Sequence, residues 1–195
     1  MGDRGEKTRG RIVETACTLF HAKGYTNTSM DEIVRDAGVT KGNLYYYFSS
    51  KEALGRAVVE CTVTEQFATA EVKTNQDPVR GIVAMFRRTE KNLAAGQCKG
   101  GCLFGNLALE VSDLHDGMRQ QLDRAFSMWE ARIEQLLKSG KQRGVFRSEL
   151  HPKSVAQFVI ATLEGGILLS KVKRDVRALK SCTNTVERVL ESFRA

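Results

Sequence analysis

Hydrophobic residues recur every three to four positions along most of the 195-residue chain, and no long alternating pattern typical of β-strands competes with them. This spacing predicts amphipathic helices, interrupted by a Gly-rich segment at residues 96–102. The fold class is therefore predicted to be all-α. Beyond residue 50 we expect helices over about 50–73, 78–95, 103–111, 117–140, 152–173 and 175–193.

Residues 28–51 contain signals for two short helices separated by a turn. Ser29 stands three residues before Glu32, which is a capping box, so a helix should begin directly after Ser29. Gly38 follows where the chain must leave that helix, and Thr40 is a suitable N-cap for the next one. This arrangement is typical of a helix-turn-helix whose second helix enters the major groove of DNA.

The predicted second helix carries side chains suited to both a core and a contact surface. Leu44 and Phe48 lie four residues apart and should face the interior. Tyr45, Tyr46 and Tyr47 are spaced by about 100° each on a helix, so at least one of them must face outward. An outward aromatic indicates a binding surface, although similar helix pairs also occur in helical proteins that never touch DNA.

The charge distribution favours a nucleic-acid partner only locally. The chain carries a net charge of +7, yet residues 1–56 hold nine Lys/Arg against seven Asp/Glu, a surplus of two. Residues 38–51 contain Lys41 and Lys51 but no Asp or Glu, so we expect both ammonium groups to be unpaired. The basic run at 171–180 is interpreted as a solvated helix end.

The string KGNLYYYFSSKEAL, with RIVETACTLFHAKGYTNTSMDEI before it, closely resembles the N-terminal domain of TetR/AcrR-type transcriptional regulators. The match runs from about Arg9 to Leu54. It implies a DNA-binding domain of residues 1–54 and a helical effector-binding and dimerisation domain of residues 55–195. Position by position, the implied DNA contacts are Thr28, Ser29, Thr40, Lys41, Gly42, Asn43, Tyr45, Tyr46, Tyr47 and Lys51.

The resemblance also implies roles for these contacts. The Thr28–Ser29 pair matches residues that grip a phosphate, and Lys51 matches a phosphate-binding Lys at the start of the fourth helix. Tyr45 and Tyr46 match aromatics that contact bases and phosphates, whereas Tyr47 stands where many members carry His. The implied partners are a palindromic double-stranded operator, a second copy of the chain and a small-molecule effector. The resemblance implies a repressor and not an enzyme.

No run of about 18 apolar residues is evident, so no membrane span is expected. The N-terminus MGDRGEKTRGR is polar and lacks the apolar segment of a secretory signal. We therefore expect a cytoplasmic protein without a membrane partner.

The helix expected at 152–173 is apolar on more of its circumference than a surface helix needs. Phe158 and Leu168 should be buried against the other helices of residues 55–195, while Gly165 and Gly166 offer a strip of small residues. A slightly kinked interior helix would also explain the glycines. Because two DNA-binding domains must read one operator, we expect the last two helices to pair with the same helices of a second copy. The predicted dimer contacts are Gly165, Gly166, Val186, Val189, Leu190 and Phe193.

Five scattered cysteines and the absence of a secretion signal argue against a disulfide framework. Cys98 and Cys102 flank the glycines of the 96–102 break. A zinc site would need two further ligands at suitable spacing, so neither a metal nor another cofactor is expected. A thiol oxidoreductase would use these two cysteines, but their C-x3-C spacing and all-helical context do not favour it.

A narrower resemblance concerns GGCLFGNLALEV and the later GGILLSKVKR, which look like the ligand domain of NemR-like electrophile-sensing repressors. It implies Cys102 as a covalent sensor with Lys171 nearby, and an ammonium beside a thiol would favour the reactive thiolate. Two alternatives stay open, namely a packed cysteine beside an ordinary apolar ligand pocket, and a DNA-architectural protein without an effector.

Overall fold

The computed structural model describes residues 3–68 and 77–195, and it describes side chains over 5–65 and 77–195. Within those residues it contains nine helices and no strand beyond one isolated bridge between Phe146 and Arg194. The all-α prediction is confirmed, while the helix end predicted near residue 73 lies outside the described residues. The helices are α1 (Asp3–Lys23), α2 (Met30–Asp36), α3 (Lys41–Tyr47), α4 (Lys51–Ala68), α5 (Pro78–Ala95), α6 (Leu103–Val111), α7 (Asp116–Gln142), α8 (Pro152–Lys173) and α9 (Arg177–Glu191).

The capping signals act where the sequence predicted. Ser29 Oγ accepts the Glu32 amide at 3.1 Å, and Thr40 Oγ1 accepts the Asn43 amide at 3.2 Å. Gly38 leaves α2 at a φ of +59°, a conformation that disfavours side chains with a Cβ. These contacts fix both ends of the turn and set the start of α3.

Two compact units make up the described chain. The first comprises the described residues up to 70 together with 103–125, and the second comprises those from 71 to 102 together with 126–195. The first unit thus includes α6, which is far from α1–α4 in the sequence. The functional boundary predicted at residue 54 stays a prediction.

The core of the first unit is formed by apolar side chains of α1–α4, α6 and the first part of α7. Leu44 is fully buried and Phe48 is 3% exposed, as their spacing predicted. Glu110 of α6 also joins this unit, because its carboxylate accepts the backbone amides of Tyr25 at 3.2 Å and Thr26 at 2.8 Å. Through this contact α6 secures the turn between α1 and α2.

In the second unit, α8 packs closely on α9 of the same chain. A Cβ on Gly166 would lie 2.8 Å from Leu179 Cδ1 and 3.2 Å from Cys182 Sγ, so glycine is needed for this approach. Val186 and Leu190 are fully buried in the same core. Gly166, Val186 and Leu190 thus face α9 and the core of their own unit, and the dimer contacts expected for them stay a prediction.

The C-terminal end of the chain folds back on its own unit. The Phe193 carbonyl accepts the Arg147 amide at 2.9 Å, and the Phe193 ring packs partly buried against the core. Val189 is likewise partly buried. Both side chains therefore keep part of their surface exposed, and the dimer contacts expected for them stay a prediction.

An exposed apolar face does exist on α8, rotated from the one the sequence suggested. Phe158 is 41% and Leu168 50% exposed, although both were expected in the core, and Leu169 and Val172 extend the same surface. No described atom lies within 4 Å of a Cβ built on Gly165. With a mean hydropathy of 1.5 over 18 residues, α8 is also long and apolar enough to cross a membrane, contrary to expectation. Core helices of soluble proteins share that property, and one such helix is weak evidence.

Candidate nucleic-acid interface

One side of α3 is a continuous solvent-facing surface. Thr40, Lys41, Gly42 and Asn43 are exposed along its first turn. Farther along, Tyr45 is 44% and Tyr46 74% exposed. This surface presents hydroxyl, ammonium and amide groups beside aromatic rings, the set of side chains used to contact phosphates and base edges.

Tyr47 differs from the two tyrosines before it. Its side chain is half-buried, and its ring meets that of Tyr46 edge-on with centroids 5.0 Å apart. Tyr47 therefore orients Tyr46 from behind and contributes less of its own surface.

Lys41 has an acidic partner that the sequence analysis did not anticipate. Its Nζ lies 2.9 Å from Asp31 Oδ1 of α2, and this hydrogen bond raises the pKa of the Lys41 ammonium. Both side chains are well exposed, and such surface pairs contribute little to stability. The ion pair with Asp31 therefore holds the Lys41 side chain only weakly.

Lys51 is also engaged, which corrects the expectation that it is unpaired. Its Nζ lies 4.4 Å from the centre of the Tyr25 ring and donates to the Thr26 carbonyl at 3.3 Å. Burial lowers the pKa of Lys51, while the nearby Glu110 carboxylate opposes that shift. Lys51 is thus held in one place beside the turn between α1 and α2.

The Thr28–Ser29 pair divides into one buried and one exposed residue. Thr28 is 1% exposed, and its hydroxyl donates to the Gly24 carbonyl at 2.8 Å. Ser29 is exposed at the start of α2, where its hydroxyl already caps the helix. The Thr28 side chain therefore shapes the turn, and only Ser29 of the pair presents its side chain to solvent.

Glu110 is the functional residue that sequence reasoning missed. Besides accepting two amides, its carboxylate fills the space beside Gly24, where a Cβ would lie 2.7 Å from Oε1. Gly24 has a φ of +87°, which is the one local sign that something approaches the backbone here. Because the partners are 84 and 85 residues apart in sequence, no motif could reveal the contact.

The predicted sensor residue, Cys102, directly precedes α6 and is half-buried. The Glu164 carboxylate of α8 accepts a hydrogen bond from its thiol. Glu164 Oε1 is buried without a hydrogen-bond partner in the described part of the chain, and burial raises the pKa of this carboxyl. The thiol therefore contacts a carboxyl group that the sequence analysis did not predict.

Lys171 follows Glu164 by two helical turns and lies on the same side of α8. Its side chain is half-buried. Its role beside Cys102 stays a prediction. Among the described residues, no group of three or more His, Cys, Asp or Glu side chains is placed to hold a metal ion.

The chain is similar to known protein families over most of its length. The family described as "Bacterial regulatory proteins, tetR family" matches residues 12–58, and the one described as "Tetracyclin repressor-like, C-terminal domain" matches residues 68–186. The transcriptional repressor DhaR of Mycobacterium sp. (strain GP1) is 32% identical over 173 residues, which covers 86% of this chain and 84% of the relative.

A second relative has a solved structure. The repressor NemR of Escherichia coli is 28% identical over 186 residues, covering 94% of both chains. The crystal structure of its reduced form superposes with a TM-score of 0.85 at 26% identity, covering 97% of both chains. Similarity in sequence and in fold therefore extends over both the helix-turn-helix region and the C-terminal helices.

Proposed function

The chain belongs to the TetR family of DNA-binding transcriptional regulators, which are not enzymes, and on this premise we propose that it is a cytoplasmic homodimeric repressor. Two copies of α3 enter successive major grooves of a palindromic operator. The dimer has one conformation that binds DNA and one that does not. A small molecule that binds the C-terminal helices more tightly in the second conformation increases its population, and the operator is released.

The observation that carries the DNA-binding proposal is the exposed surface of α3. A ring such as that of Tyr46, 74% exposed, adds nothing to the core of its own chain and is available to a partner. Gly42 lacks a Cβ, so the helix backbone can approach the base edges closely. Lys41, Lys51 and Ser29 flank this surface as candidate phosphate contacts.

The test uses a duplex selected from a random library and a scrambled duplex of the same composition. Tyr45→Ala should lower discrimination between the two duplexes, whereas Lys41→Ala should weaken binding to both and reduce the salt-dependence slope by about 0.9. Lys153→Ala, an exposed substitution at the start of α8, is the control and should change neither quantity. Unchanged binding by both α3 variants would exclude this helix from the interface.

For the dimer, we propose the exposed face of α8 in place of the seam that the sequence suggested. Phe158, Leu168, Leu169 and Val172 are each at least 41% exposed and lie on one side of α8, so they offer an apolar surface to a partner helix. Leu168→Arg should dissociate the dimer and lower operator affinity. Leu114→Arg, which adds the same charge at another exposed leucine, should leave the dimer intact in sedimentation velocity.

A second candidate for the release step is covalent sensing by Cys102. It is favoured by the position of Cys102 directly before α6 and by similarity to a repressor whose reduced form has been solved. A quinone would then release the wild-type protein from DNA but not Cys102→Ser. Cys61→Ser removes an exposed thiol elsewhere and should leave release unchanged. Equal release of Cys102→Ser and wild type would leave the non-covalent effector.

A further inference from the structure

A cleft opens to solvent between the first half of α1 and the start of α3. Its volume is about 680 Å³. Two of its lining residues are cations, several others carry hydroxyl, amide or backbone donors, and none is acidic. The lining residues are Lys7, Thr8, Arg11, Gly38, Val39, Thr40 and Asn43.

The position of this cleft follows from how α1 runs beside α3. A Cβ on Gly5 would lie 3.4 Å from the Tyr47 hydroxyl, and the Arg9 guanidinium lies 5.2 Å from the centre of the Phe48 ring. Both distances show that the first turns of α1 lie close to the C-terminal end of α3. Lys7 and Arg11 are four residues apart on α1, so they project from one side of it.

The two cations of the cleft share a wall with residues already assigned to the DNA surface. Thr40 and Asn43 line the same cleft and are exposed at the first turn of α3. Arg11 is exposed and forms no hydrogen bond or ion pair with the described residues, in contrast to Lys41 with its Asp31. An unneutralised guanidinium beside an open cleft attracts an anion.

We propose that Lys7 and Arg11 bind a backbone phosphate of the operator, so that α1 forms a second, sequence-independent contact beside the recognition helix. The proposal rests on the proposed DNA-binding function and adds a partner atom to it. Lys7 and Arg11 precede residues 12–58, which the family description matches, and neither is among the DNA contacts that the resemblance implies.

A phosphate suits this cleft better than a base edge does. Guanidinium groups bind phosphate oxygens through two parallel hydrogen bonds, and an ammonium adds a point charge. Phosphate contacts position a protein on the duplex without reading its sequence, and each one releases counterions. The contact should therefore increase affinity for all duplexes alike.

The test measures the salt dependence of binding for Lys7→Ala and Arg11→Ala on the selected and the scrambled duplex. Each variant should reduce the log–log slope by about 0.9 and weaken binding to both duplexes by the same factor. Arg11→Lys should restore the slope, and Lys153→Ala should not change it. Circular dichroism checks that the helices are retained, which is expected because both side chains are exposed.

The outcomes separate this contact from the function on which it rests. Wild-type slopes for both variants, with Tyr45→Ala still losing discrimination, would overturn the α1 contact and leave the DNA-binding function in place. Absence of DNA binding by the wild-type protein would overturn both. Calorimetric titration with inorganic phosphate completes the test: binding that Arg11→Ala abolishes, with unchanged DNA slopes, would assign the cleft to a free phosphate and overturn the DNA contact.

Discussion

The two compact units of this chain differ in how completely their side-chain oxygens are paired. In the first unit, the side-chain oxygens of Ser29, Thr40 and Glu110 all accept backbone amides. In the second, Ser170 Oγ accepts the Leu179 amide at 3.0 Å, whereas Glu164 Oε1 is buried with no partner among the described residues. A buried polar group without a partner costs free energy, so the difference shows where the fold leaves an interaction open.

The backbone shows the same contrast. The first unit leaves its helices through glycines, with φ values of +87° at Gly24 and +59° at Gly38. The second places Gln97 and Cys98 at φ values of 55° and 54°, although both carry a Cβ. Local strain of this kind is concentrated at functional and switching sites. Gln97 and Cys98 lie five and four residues before Cys102, the residue for which the sequence predicts a sensor role.

The largest expected effect comes from removing the Glu110 carboxylate, which accepts two backbone amides in the first unit. Glu110→Ala leaves the amides of Tyr25 and Thr26 without their acceptor and should lower the free energy of unfolding by about 2 kcal/mol. It also removes the anion near Lys51. Urea denaturation measures the loss of stability.

Two controls sharpen that measurement. Glu110→Gln keeps one carbonyl oxygen and should lose less stability than Glu110→Ala. Leu109→Ala changes the neighbouring residue, which is 81% exposed, and should leave stability within about 0.5 kcal/mol of wild type. Equal stability of Glu110→Ala and wild type would remove this contrast between the units.

A pair of opposite substitutions tests the backbone contrast. Gly38→Ala should destabilise the first unit by about 1 kcal/mol, purely through its φ, because nothing lies within 4 Å of the added Cβ. Gln97→Gly should stabilise the second unit by less than about 1 kcal/mol. The substitution relieves backbone strain, but glycine also raises the conformational entropy of the unfolded chain, which offsets part of the gain. Thermal unfolding should give shifts of opposite sign, and shifts of the same sign would contradict the contrast.

Local signals explain which features the sequence could predict. The caps at Ser29 and Thr40, the turn at Gly38 and the buried pair of Leu44 and Phe48 each depend on neighbours within four positions. Such spacings are readable without knowledge of the tertiary structure.

Long-range contacts explain what could not be predicted. Lys41 meets Asp31 across the turn, and Glu110 reaches amides 84 residues away or more. On α8, apolar residues cover most of the circumference, so periodicity could not decide which side meets α9. Gly166 was correctly expected to allow a close helix, but that helix belongs to the same chain.

The smallest expected effect concerns Glu164 Oε1, the buried oxygen without a hydrogen-bond partner among the described residues of the second unit. Burial raises the pKa of Glu164 above its ordinary value of 4.5, although the hydrogen bond from Cys102 opposes this. The folded protein therefore holds the proton more tightly than the unfolded chain. The stabilising contribution is fully present below about pH 4.5 and is lost as the pH rises through the folded pKa.

Glu164→Gln keeps the shape of the side chain but removes its charge, so it should be more stable than wild type at pH 7 by up to about 1 kcal/mol. The difference should vanish near pH 4, where Glu164 is protonated in both states, and urea denaturation at the two pH values measures it. A difference independent of pH would show that packing and not ionisation decides stability here. A variant less stable than wild type at pH 7 would mean that Oε1 has a partner in solution, and the contrast between the units would then fail at the residue that defines it.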